Sequence, residues 1–180
     1  IGKRQSMRFI LMIMVALLIG HSAHALTMEE ISGEKTMTIQ DYIKDFVDIP
    51  EGGTDWKVFG KTKEVEAQSK TEDGYDNFYS KPEFPPEVKA LDGKEIIVKG
   101  YMFPLDQTDE QKEFLFGPFP LSCPYQYHVG PSLVIEVHAD NHPVEFDYEP
   151  VTIKGTLELV PDDPEYSTFY RLTDAKQVAE

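Results

Sequence analysis

Hydrophobic positions along the chain follow three different patterns. Phe9 to Gly20 (FILMIMVALLIG) is an unbroken apolar run. Ile39, Tyr42, Ile43, Phe46 and Val47 recur at the spacing that places side chains on one face of a helix. From Leu91 onward, apolar and polar residues alternate in short stretches, the period of half-buried strands. The middle pattern predicts a short helix capped by Thr38 and ended by Pro50 and Gly52-Gly53, its apolar face packed on the remainder of the fold.

The alternating part predicts strands over Lys94–Phe103, Lys112–Phe116, Ser132–His138, Val151–Val160 and Phe169–Leu172. In the third of these, Leu133, Ile135 and Val137 form a core face, and Val134, Glu136 and His138 a wetter one. Ahead of them, Trp56–Phe59 and Lys63–Glu66 read as short strands broken at Gly60, and residues 67–88 as a long surface connection whose Tyr75, Phe78, Tyr79 and Phe84 pack it down. Gly100 and Gly155 fall inside long strands, where a missing side chain lets a sheet coil or bulge. The expected architecture is mainly β: a small Greek-key barrel of the oligonucleotide- and oligosaccharide-binding (OB-like) type, with a short N-terminal helix and long loops. Such a fold carries no particular ligand with it.

Length and the N-terminus refine this picture. With 180 residues, 41% of them hydrophobic, the chain fits one core of ordinary size. Lys3, Arg4 and Arg8, the apolar run and Ala23-His24-Ala25 have the layout of a secretory signal cleaved after Ala25. Twelve apolar residues fall short of the roughly 20 that span a bilayer as a helix, so no stable membrane insertion is expected after cleavage. The sequence therefore divides into a signal (1–25), an arm with the short helix (26–53) and the barrel (54–180), with a periplasmic or secreted product.

The formal charge is −15, and loss of residues 1–25 removes three cations and no acid, leaving 14 Lys and Arg against 32 Asp and Glu, or −18. Affinity for nucleic acid comes largely from Lys and Arg, so a nucleic-acid function is disfavoured. The single cysteine cannot form an internal disulfide.

That cysteine sits in PLSCPYQYHVGP, residues 120–131, where Pro120, Pro124 and Pro131 stiffen the backbone between two predicted strands. Three kinds of chemistry can be built around it. Phe114, Phe116, Phe119, Tyr125 and Tyr127 are five aromatics within fourteen residues; Phe119, Tyr125 and Tyr127 are the candidate binding surface. Cys123, His128, His138 and His142 supply the thiolate and imidazole donors that zinc or copper prefer, with Glu136, Asp140, Glu145 and Asp147 nearby. The Cys-x4-His spacing is not a zinc signature, and His138 falls on the Glu136 face of its strand whereas His142 shares parity with Val144 and Phe146, expected to be buried, so the two would point to opposite sides unless the turn rotates them. A thiol nucleophile would need His128 as its base, and the acidic surroundings work against the thiolate.

The ordered motifs FPPEVKALDGK (84–94), GYMFP (100–104), Phe114-Leu115, Ser122-Cys-Pro124 and Gly130-Pro131 give the chain a broader resemblance. Over about residues 54–178 it resembles a family of exported bacterial proteins catalogued as a domain of unknown function. The resemblance implies a secreted or periplasmic location, a barrel-like β domain and no established reaction. It also implies, as partners, envelope transport or assembly proteins, some tied to zinc supply. Many relatives carry Cys-Pro-x-Cys in the loop; here the fourth position is Gln126, which counts against a dithiol or two-cysteine metal site. The sequence thus reads first as a non-catalytic binding or accessory module of the envelope, second as a zinc or copper protein using Cys123 and His128, and third as a thiol-dependent enzyme.

Overall fold

The computed structural model of the chain describes residues 38–122 and 129–179. The first turn is set by Thr38, whose backbone N–H and hydroxyl both donate to the Asp41 carboxylate, at 2.8 and 3.0 Å. Helix α1 (Ile39–Tyr42) then tightens into a 3-10 turn over Ile43–Asp45. The expected apolar face survives this tightening: Ile43 and Val47 are buried, and Ile39, Tyr42 and Phe46 pack against the core.

Two expectations fail in the next segment. Trp56–Phe59 is a helical turn, α2, where the sequence suggested a strand. Asp55 accepts a hydrogen bond from the Lys57 N–H at 2.9 Å, and this cap outweighs the local β propensity of the aromatics. The supposed long connection is mostly a hairpin: β1 (Lys63–Lys70) pairs antiparallel with β2 (Asp76–Glu83), in register from Lys63 opposite Glu83 to Lys70 opposite Asp76. Its turn is closed by Thr71 and Tyr75, with Gly74 at φ 84°, a left-handed conformation that suits glycine. The hairpin is hard to see in the sequence because its faces are nearly all polar and Pro82 interrupts β2, which is tolerable only because the strand lies at a sheet edge. A further turn, α3 (Pro86–Lys89), leads into the barrel.

The barrel consists of β3 (Glu95–Pro104), β5 (Glu113–Gly117), β6 (Ile135–His138), β8 (Val151–Leu159) and β9 (Tyr170–Gln177), closed in the order β3-β5-β6-β9-β8. Two-residue strands β4 (Glu110–Gln111) and β7 (Val144–Glu145) pair outside it. Counting barrel strands along the chain, the order round the barrel is first, second, third, fifth, fourth, with the third and fifth parallel and the other pairs antiparallel. This is the Greek-key arrangement of an OB-like barrel, as the spacing of strands and glycines suggested. The five strands expected from Lys94 onward are all present, although Pro131–Leu133 is a 3-10 turn ahead of β6, and β9 runs five residues beyond Leu172.

Closure is made by β3. Its first half, Glu95–Gly100, pairs with β8, and its second half, Tyr101–Pro104, pairs with β5. The change of partner falls at Gly100, where a Cβ would stand 2.6 Å from the Gly117 carbonyl oxygen and 3.1 Å from the Phe116 ring. Gly155 plays the matching part in β8, at a register irregularity against β9, where a Cβ would meet the Leu172 side chain at 2.8 Å. Inside the barrel lie Phe114, Phe116, Ile135, Val137, Ile153, Leu157 and Leu172, all fully buried.

One end is plugged by α2: the Trp56 indole donates to the Lys99 carbonyl at 2.6 Å and packs on Phe59 and Phe116. Tyr170 completes the plug. Its hydroxyl donates to the Phe59 carbonyl at 3.0 Å and lies 2.6 Å from the Thr62 hydroxyl, and burial pushes its phenol well above the usual tyrosine range.

Gly100→Ala should therefore lower stability by about 1–3 kcal/mol, the usual cost of forcing a methyl into a packed site. The expected observation is a lower urea midpoint with an unchanged slope. A Gly100→Ala chain that unfolds at the wild-type midpoint would mean that β3 does not close onto β5 at this residue.

Candidate functional site

Strand parity decides what the barrel shows to solvent. On β5, Phe114 and Phe116 point inward, which turns Glu113 and Leu115 outward; on β6, Ile135 and Val137 point inward, which turns Glu136 and His138 outward, with Val134 just ahead of the strand in the same phase. The register then lines these outward residues up across three strands. Leu115 faces Glu136, Glu136 faces Arg171 of β9, and Glu113 faces His138.

Over this face lies a cleft of about 610 Å³. Its floor is Leu115, Val134 and the buried Phe169, with Val129 and Pro131 at one side. Leu105, from the β3–β5 connection, and Tyr166, from the β8–β9 connection, stand at its rims with 58% and 74% of their surface exposed. Second and third strands flanked by these two connections are where OB-like barrels most often receive ligands.

The polar side of the cleft centres on Glu136. Its Oε1 accepts from Arg171 Nε at 2.7 Å and from His138 Nε2 at 2.6 Å; because a carboxylate only accepts, that imidazole nitrogen carries the proton. Its Oε2 accepts, among the described residues, only a long bond, 3.4 Å, from the Thr168 hydroxyl. Burial would raise the Glu136 carboxyl, but the hydrogen bonds from His138 and Arg171 and the guanidinium charge outweigh it and hold the group below its ordinary 4.5. Arg171 is raised in turn, first by its hydrogen bond to Glu136. It also lies 4.0 Å from Glu158. Glu113 lies 3.5 Å from His138 Nδ1 and is otherwise open to solvent.

Both rims are fixed by single aspartates. The Asp163 carboxylate accepts from the N–H groups of Glu165, Tyr166 and Thr168, which folds the β8–β9 connection into a tight turn with Ser167 at φ 57°. Burial opposes ionisation of Asp163, yet the donated N–H groups keep it below the usual carboxylate range. The hairpin braces the same turn: Ser80 N–H donates to the Ser167 hydroxyl, Asn77 to the Pro164 carbonyl and Tyr79 to Asp162. On the other rim, Asp106 accepts from the Thr108 N–H and hydroxyl and from the buried Gln111 amide. Glu64 of β1 accepts from Ser132, tying the hairpin to the turn before β6.

The residues singled out from the sequence divide among several places. His138 belongs to the cleft face, held between Glu113 and Glu136. His142 is exposed in the turn after β6. Phe119, expected on an aromatic surface, is 2% exposed and packs edge-on against Phe46, so its ring belongs to the core. Cys123, Tyr125, Tyr127 and His128 lie outside the described residues. Among the described residues no group of three or more His, Cys, Asp or Glu could hold a metal ion, and no helix is long and apolar enough to cross a membrane. The sequence reading missed Glu113, Tyr166 and Arg171. Glu113 and Arg171 were visible as outward positions of predicted strands, but only the register brings them to one face.

A family model for a protein of unknown function, DUF3299, matches residues 28–179. The chain belongs to the DUF3299 family. Among solved structures, this DUF3299 chain is similar to a DUF3299 family protein from Pseudomonas aeruginosa PAO1, at 25% sequence identity, covering 53% of this chain and 68% of that one, with a TM-score of 0.39. No curated protein matches it.

The state of Glu136 sets a pH dependence for this DUF3299 domain. A carboxyl whose folded pKa lies below its unfolded value stabilises the fold fully above the unfolded value, near 4.5, and loses that contribution as pH falls through the folded pKa. Glu136→Gln should cost about 1 kcal/mol at pH 7, because charge-assisted bonds to His138 and Arg171 become neutral ones in a partly solvated site. Denaturant melts at pH 7 and at successively lower pH below 4.5 should show a wild-type advantage that shrinks as the pH falls; a constant difference across the series would mean the carboxylate charge plays no part.

Proposed function

We propose that the protein is a non-catalytic binding module of the bacterial envelope, and that the cleft over β5 and β6 is where it takes its ligand. The observation that carries this reading is the cleft's construction. An apolar floor is presented by β5 and by the residues that lead into β6 and β9, and both of its rims are pinned by aspartates that accept backbone N–H groups. A preformed concave site with few, well-placed polar groups is the usual form of a binding site. Rigid rims reduce the entropy lost when a ligand is ordered. Its polar groups are also arranged for holding: Glu136 and His138 are committed to each other and to Arg171, which leaves neither as a free base beside a nucleophile.

The envelope part of the reading rests on the sequence: three cations, twelve apolar residues and Ala23-His24-Ala25 have the form of an export signal. Mild osmotic release from a bacterium expressing the full-length chain should yield a protein whose N-terminal sequence begins at Leu26. Recovery only in the cytoplasmic fraction with residues 1–25 intact would overturn the location. For the cleft, a photo-crosslinking amino acid placed at Leu115 or Tyr166 should give discrete adducts in cells, whereas one placed at the exposed Tyr148 should not. Equal labelling at all three positions would sink the assignment of the binding face.

A further inference from the structure

The cleft is apolar beneath and negative at its side, and its negative charge is only partly neutralised. Arg171 meets Glu136 through Oε1 alone and is shared with Glu158. Among the described residues, Oε2 of Glu136, on a side chain 18% exposed, meets only the Thr168 hydroxyl, at 3.4 Å. Glu113, across the strand pair, has no cation of its own among the described residues and is 58% exposed at the cleft edge. Among the described residues, two carboxylates therefore present unused acceptor oxygens beside Leu105, Leu115 and Val134. An ammonium or guanidinium placed there would gain charge-assisted hydrogen bonds in a partly desolvated site, while an anion would be repelled.

Resting on the binding reading above, we propose that the occupant is a cationic, apolar peptide segment: a lysine or arginine side chain between Glu113 and Glu136, with neighbouring aliphatic side chains on Leu105, Leu115 and Val134. Three observations favour this class. The cleft's volume is that of a ligand with many heavy atoms, well beyond a metal ion or a lone amine. Among the described lining residues the accessible apolar side chains are mainly aliphatic, Phe169 being fully buried, and Tyr166, at the rim, is the exposed ring, whereas glycan sites are built on aromatic platforms. The formal charge of −15 steers cationic segments toward the surface and slows none of them by repulsion.

The test is an amide-resonance titration of the signal-free chain with three probes: the capped peptide LKLKL, its acidic counterpart LELEL, and chitotetraose. LKLKL should shift resonances of β5, β6 and residues 166–169, with an affinity that falls as salt is raised. Glu136→Gln with Glu113→Gln should weaken it on the order of tenfold. Glu113→Gln alone, at an exposed position that leaves the fold intact, should weaken it by a smaller factor. Binding of LELEL as tight as LKLKL, or unchanged binding by both variants, overturns the proposal. If chitotetraose shifts the same resonances and LKLKL does not, the cationic peptide is wrong while the cleft remains the binding face. If no probe shifts them, the cationic-peptide proposal fails; crosslinking at Leu115 and Tyr166 then separately decides the binding reading.

Discussion

Closure of the barrel at Gly100 is the constraint on which the other features depend. Strand β3 has to serve two partners, and it can do so only by bending where the Gly117 carbonyl comes within what would be Cβ contact distance. Once β3 is bent, Phe114 and Phe116 must face inward, and Glu113 and Leu115 are forced to the outside. The same bend leaves the Lys99 carbonyl in reach of the Trp56 indole, so the helical plug is fastened to the strand beside its turning point. A short helix of four residues would have little stability alone. Here it is held by one indole hydrogen bond and by burial of Trp56 and Phe59.

The cleft is a consequence of that closed sheet rather than an addition to it. Parity sets which residues of β5, β6 and β9 are outward, and register then places Leu115, Glu136 and Arg171 in one row. Opposite charges directly across neighbouring strands are mutually stabilising. The row also leaves an acidic excess, because one guanidinium faces Glu136 and Glu158 and cannot satisfy Glu113 as well. The hairpin, which adds little to the core, earns its position by bracing the rims: Ser80 and Asn77 hold the β8–β9 turn, and Glu64 holds the turn before β6.

Much of the barrel was legible in the sequence because burial on one face writes a period of two that local residues carry. Leu133, Ile135 and Val137 announced their strand, and Gly100 and Gly155 announced where long strands would coil. The failures have equally physical causes. Trp56–Phe59 has β-prone residues but an aspartate cap in front of it, and one backbone hydrogen bond from Lys57 decided for helix. The β1–β2 hairpin buries little, so it leaves no hydrophobic alternation to read. Phe119 looked like part of an exposed aromatic group because composition cannot tell a ring packed on Phe46 from one facing solvent.

The sequence by itself determined the family, the β class, the strand faces and the strongly acidic balance, since each of these is a local or summed property of the residues. Tertiary structure alone decided that Glu113, Glu136, His138 and Arg171 share one surface, and that Leu105 and Tyr166 stand at its two edges. Those residues are separated by up to 66 positions along the chain. Only cross-strand register brings them within hydrogen-bond reach, and register is set by contacts between distant segments that no local pattern records.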